Sequence, residues 1–153
     1  MPRLIRAAIA LIVVAAFLLP ASPALADGAY ATTVAADGPV SYWRLGEAGG
    51  SVAADTTGAN PGSYKAGTTL GAIGALPADA NTSVSFTGSA GYVSVPNGAA
   101  LNLTDNRTVE AWAKPIALGG VTQAVVHKGG STGNSVWQYR IGPTSANKWR
   151  GTV

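Results

Sequence analysis

Asp55 and Asn60 are the residues of this 153-residue chain that are best suited to hold a metal ion, and they share one loop with Gly58. Calcium prefers about six to eight oxygen ligands, and a loop can supply a carboxylate, an amide side chain and backbone carbonyl groups. The sequence therefore predicts a calcium site at this loop. The alternative is an Asx turn, in which the Asp55 carboxylate accepts hydrogen bonds from its own loop and binds no metal.

Carboxylates that could hydrolyse a glycosidic bond are scarce in this chain. Glycoside hydrolases need two carboxyl groups that face the sugar about 5 to 10 Å apart, and the glutamates are Glu47 and Glu110. The positions that share a strand face with Glu110 are Thr108, Trp112 and Lys114, and none of them is acidic. We therefore predict no catalytic residues and interpret Glu110 as a surface carboxylate of a sheet, able to pair with Lys114.

His127 is the single histidine, and the chain has no cysteine. Zinc sites are built from several histidine, cysteine and carboxylate ligands, so this histidine has too few partners for one. The glycines lie in predicted turns that no helix follows, which argues against a phosphate loop or a dinucleotide-binding fingerprint. We interpret His127 as an ordinary residue at a strand end.

Aromatic side chains are the remaining candidates for binding. A flat apolar ring beside polar groups can stack on the face of a sugar. Core packing is the alternative for each ring, and it is favoured where Trp137, Tyr139 and Ile141 share one strand face. The ligand-binding candidates are Trp43, Trp112, Trp149 and Tyr92.

Strands must position these residues, because apolar and polar residues alternate over 83–115 and turn residues interrupt the alternation. Val84 and Phe86 lie on one face of a first strand, and Val93 and Val95 lie on one face of a second. A third strand is predicted over 108–115, where proline ends it. Further strands are predicted over 40–44, 62–65, 121–128, 136–141 and from 148 onward, with 121–128 and 136–141 as a hairpin, and 70–80 is predicted to be irregular.

The sequence of these segments resembles the laminin-G-like, concanavalin-A-like jelly-roll family. The resemblance covers residues 38–153. The resemblance rests on Ser85-Phe86-Thr87-Gly88, Tyr92-Val93-Ser94-Val95-Pro96, Leu101-Asn102-Leu103 and Thr108-Val109-Glu110-Ala111-Trp112, with Pro39-Val40-Ser41-Tyr42-Trp43-Arg44-Leu45-Gly46-Glu47 and Asp55-Thr56-Thr57-Gly58 upstream. It implies an all-β jelly roll of two antiparallel sheets, and many members hold calcium at the rim. The chain departs from the common loop pattern at Ala59, where asparagine is usual.

Residues 1–26 are predicted to be a cleaved signal peptide, so the protein is expected to be secreted. Arg3 and Arg6 precede the apolar run 7–19, and Ala24-Leu25-Ala26 places small residues at the cleavage position. A membrane anchor is the alternative, but the run is shorter than the roughly 20 residues that a spanning helix needs. Residues 27–37 are interpreted as a linker, and the jelly roll at 38–153 is expected to be incomplete, with further strands and domains beyond Val153.

The charge of the chain argues against nucleic acid as a partner. The ten basic residues include Arg3 and Arg6, so eight basic and seven acidic side chains, about +1, remain after signal cleavage. No basic run with interleaved aromatics occurs, which argues against nucleic-acid binding, and no membrane contact is expected after cleavage.

The sequence thus predicts a non-catalytic extracellular module that binds carbohydrate or another cell-surface polymer as part of a larger secreted protein. Two alternatives stay open. One is a structural or adhesive spacer, and the other is the N-terminal part of a glycoside hydrolase whose acids lie beyond Val153.

Overall fold

The computed structural model describes residues 28–77, 79–87, 90–103, 106–118, 123–129 and 137–152, without the side chain of Trp137. These described residues contain short strands joined by turns, one short helix and one 3₁₀ turn. In chain order these are α1 (Ala29–Ala36), β1 (Val52–Ala53), β2 (Gly62–Tyr64), β3 (Thr68–Ala72), β4 (Ser83–Phe86), β5 (Val93–Ser94), the 3₁₀ turn Ala99–Leu101, β6 (Val126–Gly129), β7 (Trp137–Pro143) and β8 (Trp149–Thr152).

The strands of the described residues form three antiparallel sheets, in the orders β1-β2-β5, β3-β4 and β6-β7-β8. Antiparallel pairing suits this sequence because its strands are short, alternate in polarity and are separated by glycine-containing turns. The prediction of an all-β chain with little helix is confirmed at this level.

Several predicted strands are confirmed. The first strand of the 83–115 region is β4, the strand predicted at 62–65 is β2, and the segment from 148 onward contains β8. The predicted hairpin is present as β6 and β7, whose register places His127 opposite Arg140 and Val126 opposite Ile141. The β7 strand continues the sheet by pairing with β8, where Pro143 lies opposite Trp149.

Three local predictions are wrong. Residues 108–115 form no strand, because no described strand lies beside them to accept and donate the backbone hydrogen bonds of a ladder. The predicted strand 40–44 is reduced to one bridge between Trp43 and Asp55, since Leu45 has a φ of 56° and leaves the extended region. The segment 70–80 is not irregular at its start, because Leu70 lies in β3.

Gly71 explains why the prediction of an irregular segment from residue 70 is wrong. It has a φ of 76° and lies where the register between β3 and β4 shifts, between Thr69 and Ala72. A glycine in this conformation accommodates a bulge inside a strand. The sequence predicts a break at this position, whereas the glycine forms a bulge and the strand continues.

The segment predicted to be a linker contains α1. Its alanine-rich sequence favours a helix, Ala31 is its buried residue, and the helix ends where Gly38 adopts a φ of 65° and its N–H donates to the Ala35 carbonyl. Whether residues 27–37 link this domain to a preceding segment stays a prediction.

The described part of the chain has a thin core. Its buried apolar residues are few, and no large side chain among them is completely enclosed. Nine large apolar residues are exposed, including Ile73 and Ile116, which are each 96% exposed. The buried apolar residues are Ala31, Ala53, Tyr64, Leu101 and Tyr139.

Candidate functional site

The carboxylate of Asp55 is the centre of a hydrogen-bonded cluster that joins the loop 55–60 to the segment 41–43. The Tyr42 N–H donates to Oδ1 at 2.8 Å, and the Thr57 N–H donates to the same oxygen at 3.0 Å. The Asn60 N–H and the Thr57 hydroxyl each donate to Oδ2 at 2.9 Å. Four donors therefore occupy the lone pairs of a side chain that is 7% exposed.

These hydrogen bonds set the ionisation of Asp55. Burial raises the pKa of the carboxyl group, but the backbone N–H groups of Tyr42, Thr57 and Asn60 and the Thr57 hydroxyl outweigh burial, so the pKa lies below its ordinary value. Asp55 is therefore an anion at neutral pH, and its charge is compensated by backbone dipoles.

Asn60 and Trp43 extend the same cluster. The Asn60 side-chain amide donates to the Ser41 hydroxyl at 2.8 Å, and the indole N–H of Trp43 donates to the Asn60 carbonyl at 2.8 Å. Two predicted site residues, Asp55 and Asn60, are thus brought together, and the predicted sugar-binding residue Trp43 joins them. In this arrangement the hydrogen bond of the Trp43 indole joins the loop 55–60 to the 41–43 segment.

The cluster does not fit a calcium ion in this arrangement. Calcium requires oxygen atoms with free lone pairs, whereas the Asp55 oxygens face four N–H and O–H donors and the Asn60 amide presents its nitrogen to Ser41. Within the described ranges, no group of three or more histidine, cysteine, aspartate or glutamate side chains is placed to hold a metal. The geometry favours the Asx turn, and calcium binding stays an untested prediction.

Glu47 is also held by its neighbours. The Ala54 N–H donates to one carboxylate oxygen at 2.7 Å, and the Tyr64 hydroxyl donates to the other at 2.5 Å. Burial raises the pKa of Tyr64, and the hydrogen bond to Glu47 and its negative charge raise it further. Both oxygens of Glu47 are therefore engaged, whereas Glu110 lies on the surface of the described part.

The aromatic candidates differ in how they are held. Trp112 is 66% exposed, Tyr92 is 54% exposed and Trp149 is 51% exposed. The indole N–H of Trp112 donates to the hydroxyl of Tyr30 at 2.9 Å, and the two rings meet edge to face with centroids 6.1 Å apart and planes at 73°. We call this pair of rings the Tyr30–Trp112 platform.

Tyr30 was missed because it lies in the segment interpreted as a linker. The helical propensity of the surrounding alanines was the available signal that this segment is ordered. The contact with Trp112 spans 82 positions of the chain, and no local pattern reports a contact of that range.

One serine pattern was also missed. Residues 129–133 read Gly-Gly-Ser-Thr-Gly, which matches the Gly-x-Ser-x-Gly pattern of nucleophile elbows. Such an elbow joins a strand to a helix, whereas this segment joins β6 to β7, two antiparallel partners. Residues 130–133 lie outside the described residues, and the context of the pattern is that of a hairpin.

No family model matches the chain, and comparison with curated proteins and with solved structures gives no match. The family resemblance stays a prediction, and function must be argued from the side chains. Within the described ranges, no helix has the length and apolar character that crossing a membrane requires.

Proposed function

We propose that this chain is a non-catalytic recognition module that binds carbohydrate or another surface polymer outside the cell. The observation that carries the proposal is the Tyr30–Trp112 platform, in which a largely exposed indole is held in one orientation. An exposed ring that is already oriented loses little conformational entropy when a ligand stacks on it. Trp112 therefore provides the stacking surface, and Tyr30 positions it.

A sugar is the ligand class that suits such a ring. One face of a pyranose carries axial C–H groups and its edge carries hydroxyls, so the apolar face stacks on the indole while the hydroxyls stay hydrated or find polar partners. Trp149 and Tyr92 are half-exposed and are proposed as additional contacts for a longer polymer.

Recognition without hydrolysis is favoured by the state of the carboxylates. Hydrolysis needs a proton donor and a second carboxylate in fixed geometry. Glu47 binds Ala54 and Tyr64 through its two oxygens, and Asp55 accepts four hydrogen bonds. These two acids have structural partners, and they are poorly placed to exchange a proton with a substrate.

We further propose that the three antiparallel sheets are parts of a jelly-roll sandwich and that residues 1–26 direct secretion. The antiparallel pairing and short strands support the first proposal. The basic start, apolar run and small residues at 24–26 support the second.

Incubation of the full-length secreted protein with a panel of insoluble polysaccharides, followed by an assay for new reducing ends, tests the proposal. We expect retention on at least one polysaccharide and no new reducing ends. Retention on none would favour the spacer. New reducing ends that disappear in Glu110→Gln would favour the hydrolase, and an unrelated surface variant, Asp37→Asn, is the matched control for that loss.

A further inference from the structure

Positive charge is concentrated in the C-terminal part of this chain. All seven acidic residues precede residue 111, whereas residues 111–153 contain five basic residues and no acidic residue. The small net charge of +3 therefore hides an uneven distribution of charge along the chain. The five basic residues are Lys114, Lys128, Arg140, Lys148 and Arg150.

The sheet β6-β7-β8 brings together cations that are separated in the sequence. Each strand carries one, namely Lys128 in β6, Arg140 in β7 and Arg150 in β8. Arg140 lies opposite Thr152 of β8, so Arg150 is its diagonal neighbour on the same face, and such neighbours lie about 7 to 8 Å apart. These charges form no run in the sequence, and the pairing of the strands collects them.

The cations at this sheet have neutral hydrogen-bond partners. The buried guanidinium of Arg140 donates to the backbone carbonyl groups of Gln123 and Pro143. The Arg107 guanidinium donates to the Gln138 carbonyl of β7 at 3.4 Å, which adds a further positive charge beside the sheet. A carbonyl oxygen accepts a hydrogen bond without cancelling the charge of the donor, so these arginines contribute a positive potential at the sheet.

The edge strand β8 presents positive charge to solvent. It lies at one end of the sheet order β6-β7-β8, and all four of its residues are exposed, including Arg150. Lys148, which directly precedes the strand, is exposed as well. We call Lys148 and Arg150 together the β8 cation pair.

The charge of this strand selects the ligand class. The three strands contain no acidic residue that could compete with a ligand for the cations. A guanidinium binds a carboxylate through two parallel N–H···O hydrogen bonds, and an ammonium binds it as a point charge. One exposed contact of this kind is weak, but a polymer with a carboxylate on many of its sugar units can engage both cations at once.

We propose that the β8 cation pair binds the carboxylates of a uronic-acid polysaccharide. The inference rests on the proposed function, since it names the chemical class of the polymer that the module recognises. It adds a charged contact to the apolar surface of the Tyr30–Trp112 platform. A nucleic acid is also a polyanion, and it is therefore included in the test as a competitor.

Binding isotherms of the full-length secreted protein on immobilised polygalacturonate, alginate and hyaluronate test this inference. We expect at least one of them to bind, and we expect the fully methyl-esterified form of that polymer, which has the same sugars without the charge, to bind more weakly. Raising the salt concentration from about 0.01 M to about 1 M shortens the Debye length from about 30 Å to about 3 Å. The affinity for the acidic form should fall over this range.

Charge-reversal variants localise the contact. Arg150→Glu and Lys148→Glu should each weaken binding to the acidic polymer by about fivefold or more, because each replaces an attraction with a repulsion. Lys65→Glu changes the net charge by the same amount at an exposed lysine outside the sheet, and it should change the affinity by less than about twofold. The comparison separates the position of the charge from its total.

The inference and the proposed function fail in different ways. Equal binding of the acidic polymer and its methyl ester, or retention on neutral polysaccharides alone, would overturn the inference and leave the proposed function standing. Equal losses in Lys65→Glu and Arg150→Glu would also overturn it, as would displacement of the polymer by oligothymidylate at an equal concentration of charges. Retention on no polysaccharide, acidic or neutral, would overturn both proposals.

Discussion

At the scale of single residues, the Asp55 carboxylate organises the N-terminal part of the described chain. It accepts hydrogen bonds from three backbone N–H groups and one hydroxyl, and these donors belong to Tyr42 and to its own loop. The residue types were visible in the sequence, and so was the choice between an Asx turn and a metal site. The hydrogen bonds that favour the turn include the long-range contact with Tyr42, which no spacing within the loop indicates.

Asp55→Ala is expected to lower the free energy of unfolding by about 3 kcal/mol or more, because it leaves buried N–H groups without acceptors. Chemical denaturation of the full-length protein measures the loss. Asp37→Ala, at an exposed carboxylate, should change it by no more than about 0.5 kcal/mol.

If the Asp55 carboxylate serves the turn and not a metal, neither calcium nor a chelator moves the melting temperature of the wild type. A large drop with chelator would contradict this.

The lowered pKa of Asp55 predicts acid sensitivity. Because the folded-state pKa lies below the unfolded value of about 3.9, the stabilisation is complete well above pH 4 and is lost as pH falls through the folded-state pKa. The difference in unfolding free energy between wild type and Asp55→Asn should therefore shrink as pH falls below about 4. Denaturation series from pH 7 to pH 3 measure it, and a difference that grows in acid would contradict the prediction.

At the scale of elements, the alternation of apolar and polar residues predicted strands correctly where a neighbouring strand exists. It predicted a strand wrongly where no described strand lies alongside. β4 and the β6–β7 hairpin are confirmed, because their apolar and polar alternation coincides with an antiparallel partner. The same alternation over 108–115 gives no strand, since alternating side chains do not by themselves provide a partner strand for backbone hydrogen bonds. Gly71 shows the converse limit, because a glycine that looks like a break forms a bulge inside β3.

The tight packing of β7 gives a test at this scale. A Cβ atom on Gly142 would lie 2.3 Å from the Gln123 carbonyl oxygen, whereas one on Gly151 in neighbouring β8 would meet nothing within 4 Å. Gly142→Ala should lower the free energy of unfolding by about 1 to 3 kcal/mol, as overpacking does. Gly151→Ala should leave it unchanged or raise it by about 0.4 to 1 kcal/mol. Equal effects of the two variants would contradict the packing of the Gln123–Ala124 backbone against β7.

At the scale of the whole molecule, the described part combines an antiparallel β architecture with little buried apolar surface. Composition and alternation were enough to predict a chain built mostly of antiparallel strands with little helix. They could not place Tyr30 against Trp112 or Asn81 against Arg44, because those contacts join positions 82 and 37 residues apart. The candidate site was therefore predictable as a list of aromatic residues, and its arrangement required the fold.

The thin core predicts marginal stability for residues 27–153 alone. Nine large apolar side chains are exposed in the described part, and exposed apolar surface favours association. We expect a broad thermal transition that is not fully reversible, together with binding of a hydrophobic dye to the native protein. Calorimetry with rescanning measures the first and dye fluorescence the second. A sharp, reversible transition without dye binding would contradict this prediction.

The central claim is that Trp112, oriented by Tyr30, is the surface on which a glycan stacks. The most direct test is a binding isotherm on the polysaccharide that retains the wild-type protein most strongly. Trp112→Ala should weaken binding by about tenfold or more, which corresponds to about 1.4 kcal/mol. Ile116→Ala, which removes an apolar side chain that is 96% exposed, should leave it unchanged. Wild-type affinity in Trp112→Ala, or an equal loss in Ile116→Ala, would contradict the claim.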